Sequence, residues 1–439
     1  LIKHAADRLQ LPSTADLLVA GGDDRLTLDP GSGRSRYACR PTPDPELVSL
    51  GSVTASHISP DAYHAASDLR QRCVHALRTE PALVVYRRGL AAVRQRLLAY
   101  CGCTPEDKPM VLLAPSGTDL FMLATNLRQP QCTVLIDGAE TGSGVPLALL
   151  GSRQGAPHLV AVRHADGSLR DSAQVDAEYA AIVSQAAARG QRVLLVLTDI
   201  SKTGLIAPSI GSVLALRARW PQQLDVMVDA CQLRLDPVTL RAYLAHGFML
   251  ALTGSKFITG PTFSGALLLP RAIAANAVDA YTDRSNFGLL LRWEAALSEM
   301  ERFAAVPQEV RLQCVRRFAE AVKRGLASHA HFTALPVSAI DRSALGVASG
   351  WDQVQTVFPL TVRAADGRLF NADEARRLYL QLQLPAIGAR RYQLGQPAAA
   401  GALRLCLSAR MIADAHAGLR QDVAADVPAA LARIAQLVG

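Results

Sequence analysis

Residues 224–269 read LDVMVDACQLRLDPVTLRAYLAHGFMLALTGSKFITGPTFSGALLL. Three apolar runs stand here, Leu224–Val228, Met249–Leu252 and Gly265–Leu269, with a helical pattern over Pro237–Ala245 between the first two. None alternates polar with apolar residues, as a strand with one wet face would. Such runs, separated by helices, predict strands buried on both faces of a largely parallel sheet. In a sheet of that kind, ligands gather beyond the carboxyl ends of the strands. The first run ends in Asp229-Ala230-Cys231-Gln232 and the second in Thr253-Gly254-Ser255-Lys256. A carboxylate directly after a buried strand needs a cation or a donor. The residues alone also permit a plain Asp229–Lys256 ion pair.

The same rhythm extends upstream. Val111–Leu113, Cys132–Ile136, His158–Val162 and Val193–Leu197 are apolar runs, and helical patterns cover Asp119–Leu127 and Val175–Arg189. The expected fold class is α/β: a large domain with a mainly parallel seven-stranded sheet sandwiched by helices, plus a small α+β C-terminal domain. Residues 1–85 read as an N-terminal arm and helix, 86–290 as the large domain, and 291–439 as a linking helix and the small domain. In the arm, Ser59 is the expected N-cap and Pro60 the first residue of a helix reaching Leu77. A second helix is expected over Arg87–Tyr100. Past residue 288 one long helical stretch runs through Trp293, Glu299 and Val315 to about Leu326. Beyond it, Gln355–Val362 reads as a strand, with Pro359 predicting an edge position. Ala372–Leu382 reads as a helix, Leu403–Leu407 as a strand and Val427–Val438 as a final helix.

Composition narrows the function. The 439 residues are 50% hydrophobic and 19% charged, enough apolar material for a large core. No apolar run is long enough to span a bilayer, so no membrane partner is expected. The net charge is +8, but no basic tract reaches five residues and aromatics are 5%. The charge therefore reads as a solvated surface, and no nucleic-acid partner is expected. Eight cysteines are dispersed, with one C-x-C at Cys101 and Cys103 and no C-x-x-C pair. That is neither a disulfide framework nor a zinc ribbon, so no metal is expected. With no leader-like opening, a reducing, cytoplasmic setting is the expectation. Of the 46 basic residues only Lys3, Lys108, Lys202, Lys256 and Lys323 are lysine. Lys3, Lys108 and Lys323 fall in exposed-looking turns or helices, and Lys202 lacks an upstream Asp motif.

The strand at Val111–Leu113 leads through Ala114-Pro115 into Ser116-Gly117-Thr118 at a helix start. Free backbone N–H groups and the helix dipole make such a start an anion site. Ser-Gly-Thr is also an ordinary N-cap sequence.

Taken in order, these strand ends resemble pyridoxal-phosphate (PLP) enzymes of fold type I, class V aminotransferase group. That group includes cysteine desulfurases, alanine–glyoxylate aminotransferases and kynureninases. The resemblance rests on Asp229-x-x-Gln232, on Ser255-Lys256, on Gly260-Pro261 and Gly265 before an apolar strand, and on Thr203-Gly204-Leu205-Ile206-Ala207-Pro208. It covers residues 80–410 in order and spacing.

The resemblance implies PLP as cofactor. It implies that Lys256 forms a Schiff base with the cofactor aldehyde and serves as acid and base. Asp229 would face the pyridine nitrogen. Gln232 would bond the ring hydroxyl, and Ser201 would stand where desulfurases carry Asn. Ser116, Gly117, Thr118 and Ser255, with Thr253, would hold the phosphate. Thr141 takes the place of a His that the family stacks on the ring. Arg404 would bind the substrate carboxylate, with Arg390 and Arg391 as candidates for a second substrate anion. Asn286 aligns with a phosphate contact made to a partner subunit. His57 is a candidate acid at the mouth. A small amino-acid substrate and a homodimer with shared active sites follow from the same resemblance.

An aminotransferase is the main expectation. The alternative is a PLP-dependent lyase acting by β-elimination, or in desulfurase, selenocysteine-lyase or kynureninase fashion. A desulfurase needs a nucleophilic cysteine on a mobile loop, and from residue 315 onward only Cys406 occurs, inside a strand.

Overall fold

The structure is a computed structural model that describes residues 10–104, 109–142, 144–150, 156–274, 282–385 and 390–438. Lys3 and Lys108 lie outside the described residues. In chain order the strands are β1 Leu47–Leu50, β2 Met110–Ala114, β3 Cys132–Ile136, β4 His158–Val160, β5 Val193–Asp199, β6 Ile206–Ala207 and β7 Leu224–Ala230. They continue as β8 Met249–Thr253, β9 Gly265–Leu269, β10 Phe332–Ala334, β11 Val357–Val362, β12 Arg391–Leu394 and β13 Leu403–Cys406.

The large sheet runs β2-β9-β8-β7-β5-β3-β4, with the two-residue β6 paired to β5. β9 is antiparallel to both of its neighbours, and the remaining pairs along the path are parallel. The seven-strand expectation matches this path. Every residue of β5, β8 and β9 is buried, which is why these segments read as continuous apolar runs. Helices cover both faces. Ser172–Ala188, Ile210–Arg219 and the long helices pack over a core that includes Leu195, Leu197 and Val228 on one side. Gly117–Arg128 packs over Leu112, Met249 and Leu267 on the other.

Two expectations need correction. The stretch from 288 to 326 is two helices, Phe287–Ala304 and Gln308–Ala327, not one. Pro307 separates them: it cannot donate to the preceding turn, and it disfavours helical backbone at Val306. The second concerns Pro359. The three-stranded antiparallel sheet of the small domain runs β10-β11-β13, so β11 is central and Pro359 is not on an edge. The proline is tolerated because its nitrogen faces β10 where that short strand ends. Its carbonyl still accepts from Leu335 N–H at 3.0 Å, one residue past β10.

The N-terminal arm is stitched into the C-terminal part. β1 pairs in parallel with β12, Leu47 facing Arg391 and Leu50 facing Leu394. Ser59 caps the helix Pro60–Ala76, its hydroxyl accepting from Ala62 N–H at 3.0 Å. The helix Phe287–Ala304 is buried on nearly every side. Its Arg292 is fully buried and donates to Phe263 O at 2.8 Å, Ala20 O at 2.5 Å and Leu18 O at 3.3 Å. The carbonyls left over at the end of the short helix Thr14–Leu18 thus find a donor, and the arm is fixed beside Phe263. At the end of β5, Asp199 forms a buried ion pair with Arg342 and accepts from Tyr243 Oη at 2.7 Å. That pair joins the large sheet to the segment leading into β11.

Candidate active site

A cavity of about 300 Å³ opens at the carboxyl ends of β5, β7 and β8. Ser116, Gly117, Thr118 and Thr141 line it, as do Ser201, Asp229 and Gln232. Thr253, Ser255, Lys256 and Arg404 complete the set expected from the sequence. Asp229 pairs with Thr198 of β5 and Ala251 of β8, which puts its carboxylate at the middle of the sheet's edge.

The loop bearing Lys256 is closed by backbone bonds. Gly254 N–H donates to Ser264 O at 2.9 Å and Gly260 N–H to Gly254 O at 2.9 Å. A Cβ on Gly260 would lie 2.6 Å from Ala296 Cβ and 2.8 Å from Gly254 O, so only glycine fits before Pro261. The next side chain, Phe257, stacks on Trp351 with ring centroids 5.2 Å apart. Lys256 itself is half-buried, and its amine has no hydrogen bond or ion pair among the described residues.

The helix Gly117–Arg128 starts at the cavity wall. Ser116 is its N-cap, in a capping box with Asp119: Ser116 Oγ donates to Asp119 Oδ2 at 2.8 Å, and Ser116 N–H to the same atom at 2.8 Å. This commits the Ser116 hydroxyl proton to Asp119. Arg25, from the arm, approaches the same place. Its Nη1 donates to Thr118 Oγ1 and its Nη2 to Ser116 Oγ, both at 3.3 Å, and its guanidinium lies 4.8 Å from the Phe263 ring centre.

Several hydroxyls and amides are also engaged. Thr141 Oγ1 donates to Asp229 Oδ2 at 3.4 Å, and Cys231 N–H to Asp229 Oδ1 at 3.2 Å. Thr253 Oγ1 donates to Cys231 O at 2.6 Å, which leaves this hydroxyl as an acceptor toward the cavity. Gln232 Nε2 donates to Val53 O at 3.0 Å, and Arg234 Nε to Gln232 Oε1 at 3.4 Å. Ser201 Oγ donates to Glu140 Oε2 at 2.6 Å. Glu140 is buried and paired to Arg163 at 2.8 Å, with Thr203 Oγ1 donating to it as well. Gly204, at φ +101°, supplies the left-handed backbone that the Thr-Gly turn requires.

Arg404 sits in β13, opposite Pro359, and is 1% exposed. Nη1 donates to Lys202 O at 3.2 Å, and Nη2 to Thr54 Oγ1 at 3.1 Å and to Gln396 O. Nε has no partner among the described residues. Burial pushes the guanidinium down to about 10.

Other candidates fall elsewhere. Arg391 pairs with Asp44 at 2.7 Å and Arg390 with Asp426 at 3.0 Å, and neither lines the cavity. Asn286 caps the helix Phe287–Ala304 and donates to Gly21 O at 2.8 Å. His57 is buried outside the cavity, and burial pushes its imidazole down to about 4. Sequence reasoning missed Arg25, Cys231 and Lys202 as lining residues. Lys202 carried a signal, its place in the turn that follows a buried strand. Arg25 carried none, because its approach depends on how the arm folds back.

No protein-family model matches the chain, and no curated protein matches it. Solved structures share its fold. The cystine C–S lyase C-DES, captured with its reaction product cysteine persulfide, is 16% identical, with a TM-score of 0.60 over 88% of this chain and 96% of that one. The cysteine desulfurase CsdA from Escherichia coli is 14% identical, with a TM-score of 0.57 over 94% and 100% of the two chains. A NifS-like protein from Rickettsia africae ESF-5 is 10% identical, with a TM-score of 0.53 over 89% and 99%. A variant of C-DES carries glycine covalently linked to its PLP cofactor. The fold of this chain is therefore the PLP-dependent transferase fold of type I.

Proposed function

We propose that the protein is a PLP-dependent enzyme acting on an amino acid, and that it is a lyase. The observation that carries the cofactor reading is the meeting of Lys256, Asp229 and the helix start at Gly117 in one cavity. Each of the three suits one part of the cofactor. The N–H groups of Gly117 and Thr118, the Ser255 hydroxyl and the Arg25 guanidinium would hold the phosphate. Gly117 leaves room there, since even a Cβ would meet only Cys231 Sγ at 3.2 Å and Thr253 Cγ2 at 3.4 Å. Asp229 would face the ring nitrogen, with Thr141 steadying its carboxylate. When bound, the cofactor supplies an aldehyde that takes up an amino group and a ring that draws electrons from Cα. Lys256 Nζ would take the proton from the substrate Cα, and Arg404 would orient the substrate by its α-carboxylate.

The lyase reading is supported by the structural neighbours, whose names describe C–S lyases and desulfurases rather than aminotransferases. Transfer through an enzyme thiol has little support. Cys231 is the cysteine that lines the cavity, and burial holds its thiol well above the ordinary value. Cys406 is buried in β13, where burial also raises its thiol. The reading favoured is β-elimination that releases the leaving group directly. A homodimer belongs to the same proposal, with light scattering as its check.

The test adds candidate amino acids to the PLP-loaded protein without any 2-oxo acid. Repeated turnover with release of a 2-oxo acid and ammonia supports the lyase. One turnover ending in the pyridoxamine form of the cofactor supports an aminotransferase instead.

A further inference from the structure

One cation of the cavity has no part in the reaction proposed above. Arg25, Lys202, Lys256 and Arg404 all line it, with the carboxylates Glu140 and Asp229, and Arg25 is already paired with Asp23 of the arm at 2.5 Å. Glu140 is already neutralised by Arg163 and bonded by Ser201 and Thr203. Asp229 is the acid assigned to the ring nitrogen. On the positive side, Arg25 and the helix start answer the phosphate, Arg404 answers the α-carboxylate, and Lys256 is the reacting amine. Lys202 is left over.

Its surroundings leave it without an ion-pair partner among the described residues. Lys202 stands three residues past the end of β5 and is half-buried. Its Nζ donates to Gly138 O at 3.3 Å. Its own carbonyl accepts from Arg404 Nη1 at 3.2 Å, so the backbone of Lys202 and the substrate-carboxylate arginine are held together. A half-buried ammonium gains from an anionic partner that replaces the hydration it has lost. Burial, with Arg404 and Lys256 as like charges nearby, outweighs the opposing pull of Glu140 and Asp137 and pushes Lys202 down to about 8.

We propose that the substrate amino acid carries a second acidic group in its side chain, and that Lys202 binds it. This rests on the reading of the site as a PLP enzyme, which assigns Arg25, Asp229 and Lys256 to the cofactor and Arg404 to the α-carboxylate. The substrate class is then an amino acid with a leaving group on Cβ whose side chain ends in a carboxylate or similar anion.

The test uses succinate and butyrate, two unreactive acids of equal chain length. Their binding to the full chain is measured by titration calorimetry, with and without added PLP. Succinate is expected to bind at least about tenfold more tightly than butyrate, as a charge-assisted contact implies. Lys202→Met should bring the ratio close to one without weakening butyrate, and Lys202→Arg should keep a preference for succinate. Equal binding of the two acids by the unaltered protein would overturn the proposal, even if the Met variant failed to fold. So would an unchanged ratio in Lys202→Met, or a ratio lost equally in Lys202→Arg. A Lys202-dependent ratio in a protein that never forms a chromophore with PLP would refute the cofactor reading and support the anion site.

Discussion

Arg404 Nη1 lies 3.2 Å from the carbonyl oxygen of Lys202, so a strand of the small domain is fastened to the turn that closes β5 of the large sheet. The same guanidinium reaches Thr54 of the arm. Three separate parts of the chain thereby meet at one buried cation. This arrangement fixes where a substrate carboxylate would dock, and it ties that dock to the geometry of the cavity mouth.

Arg404→Lys is expected to weaken butyrate binding by at least about tenfold, because an ammonium cannot offer the planar pair of donors. The spectrum of the PLP-loaded protein should remain, since Arg404 is not assigned to the cofactor. Calorimetry and absorbance read the two effects separately. Unchanged butyrate affinity would remove Arg404 from the carboxylate role.

The preference for succinate over butyrate should depend on pH. Lys202 is pushed down to about 8 by burial, Arg404 and Lys256, while Glu140 and Asp137 pull it up. Its charged form binds the second carboxylate, so the preference is full below about pH 8 and declines as pH rises through that value. Bound succinate favours the proton and moves the midpoint upward. Calorimetry from pH 6.5 to 9.5 (a span of about three units around this midpoint) checks the decline. A ratio constant across it would contradict the assignment.

The buried pair of Asp199 and Arg342 predicts a stability effect away from the cavity. Arg342→Met removes one partner and leaves the Asp199 carboxylate with Tyr243 Oη. A loss of about 3–5 kcal/mol in urea unfolding is expected. Replacing both residues by apolar ones should recover much of it. A loss under about 1 kcal/mol would show that the pair is not holding the sheet to the β11 segment.

The fold is legible where burial governs the residues. β5, β7, β8 and β9 are apolar because both faces of the sheet are covered, and that pattern needs no tertiary knowledge. Lys256 and Asp229 are legible because polar residues directly after such strands stand out. Pro359 misleads, because the tolerance of a central strand for proline depends on where its neighbour β10 stops. Pro307 hides inside a continuous apolar pattern, although its missing N–H ends the helix. Arg25 reaches the cavity only because the arm packs back through Arg292. No local pattern encodes such a contact. Lys202 lacks an Asp motif upstream, yet its strand-end position already places it beside the ligand side of the sheet.

Lys256 is assigned to react with the cofactor, and a second lysine, Lys202, lines the same cavity. The PLP-loaded protein should show a visible absorption band distinct from that of free PLP. Reduction with borohydride, followed by peptide mass spectrometry, should place a phosphopyridoxyl label on Lys256 and leave Lys202 unmodified. A label on Lys202, or a reducible chromophore that survives in Lys256→Ala, would contradict that assignment.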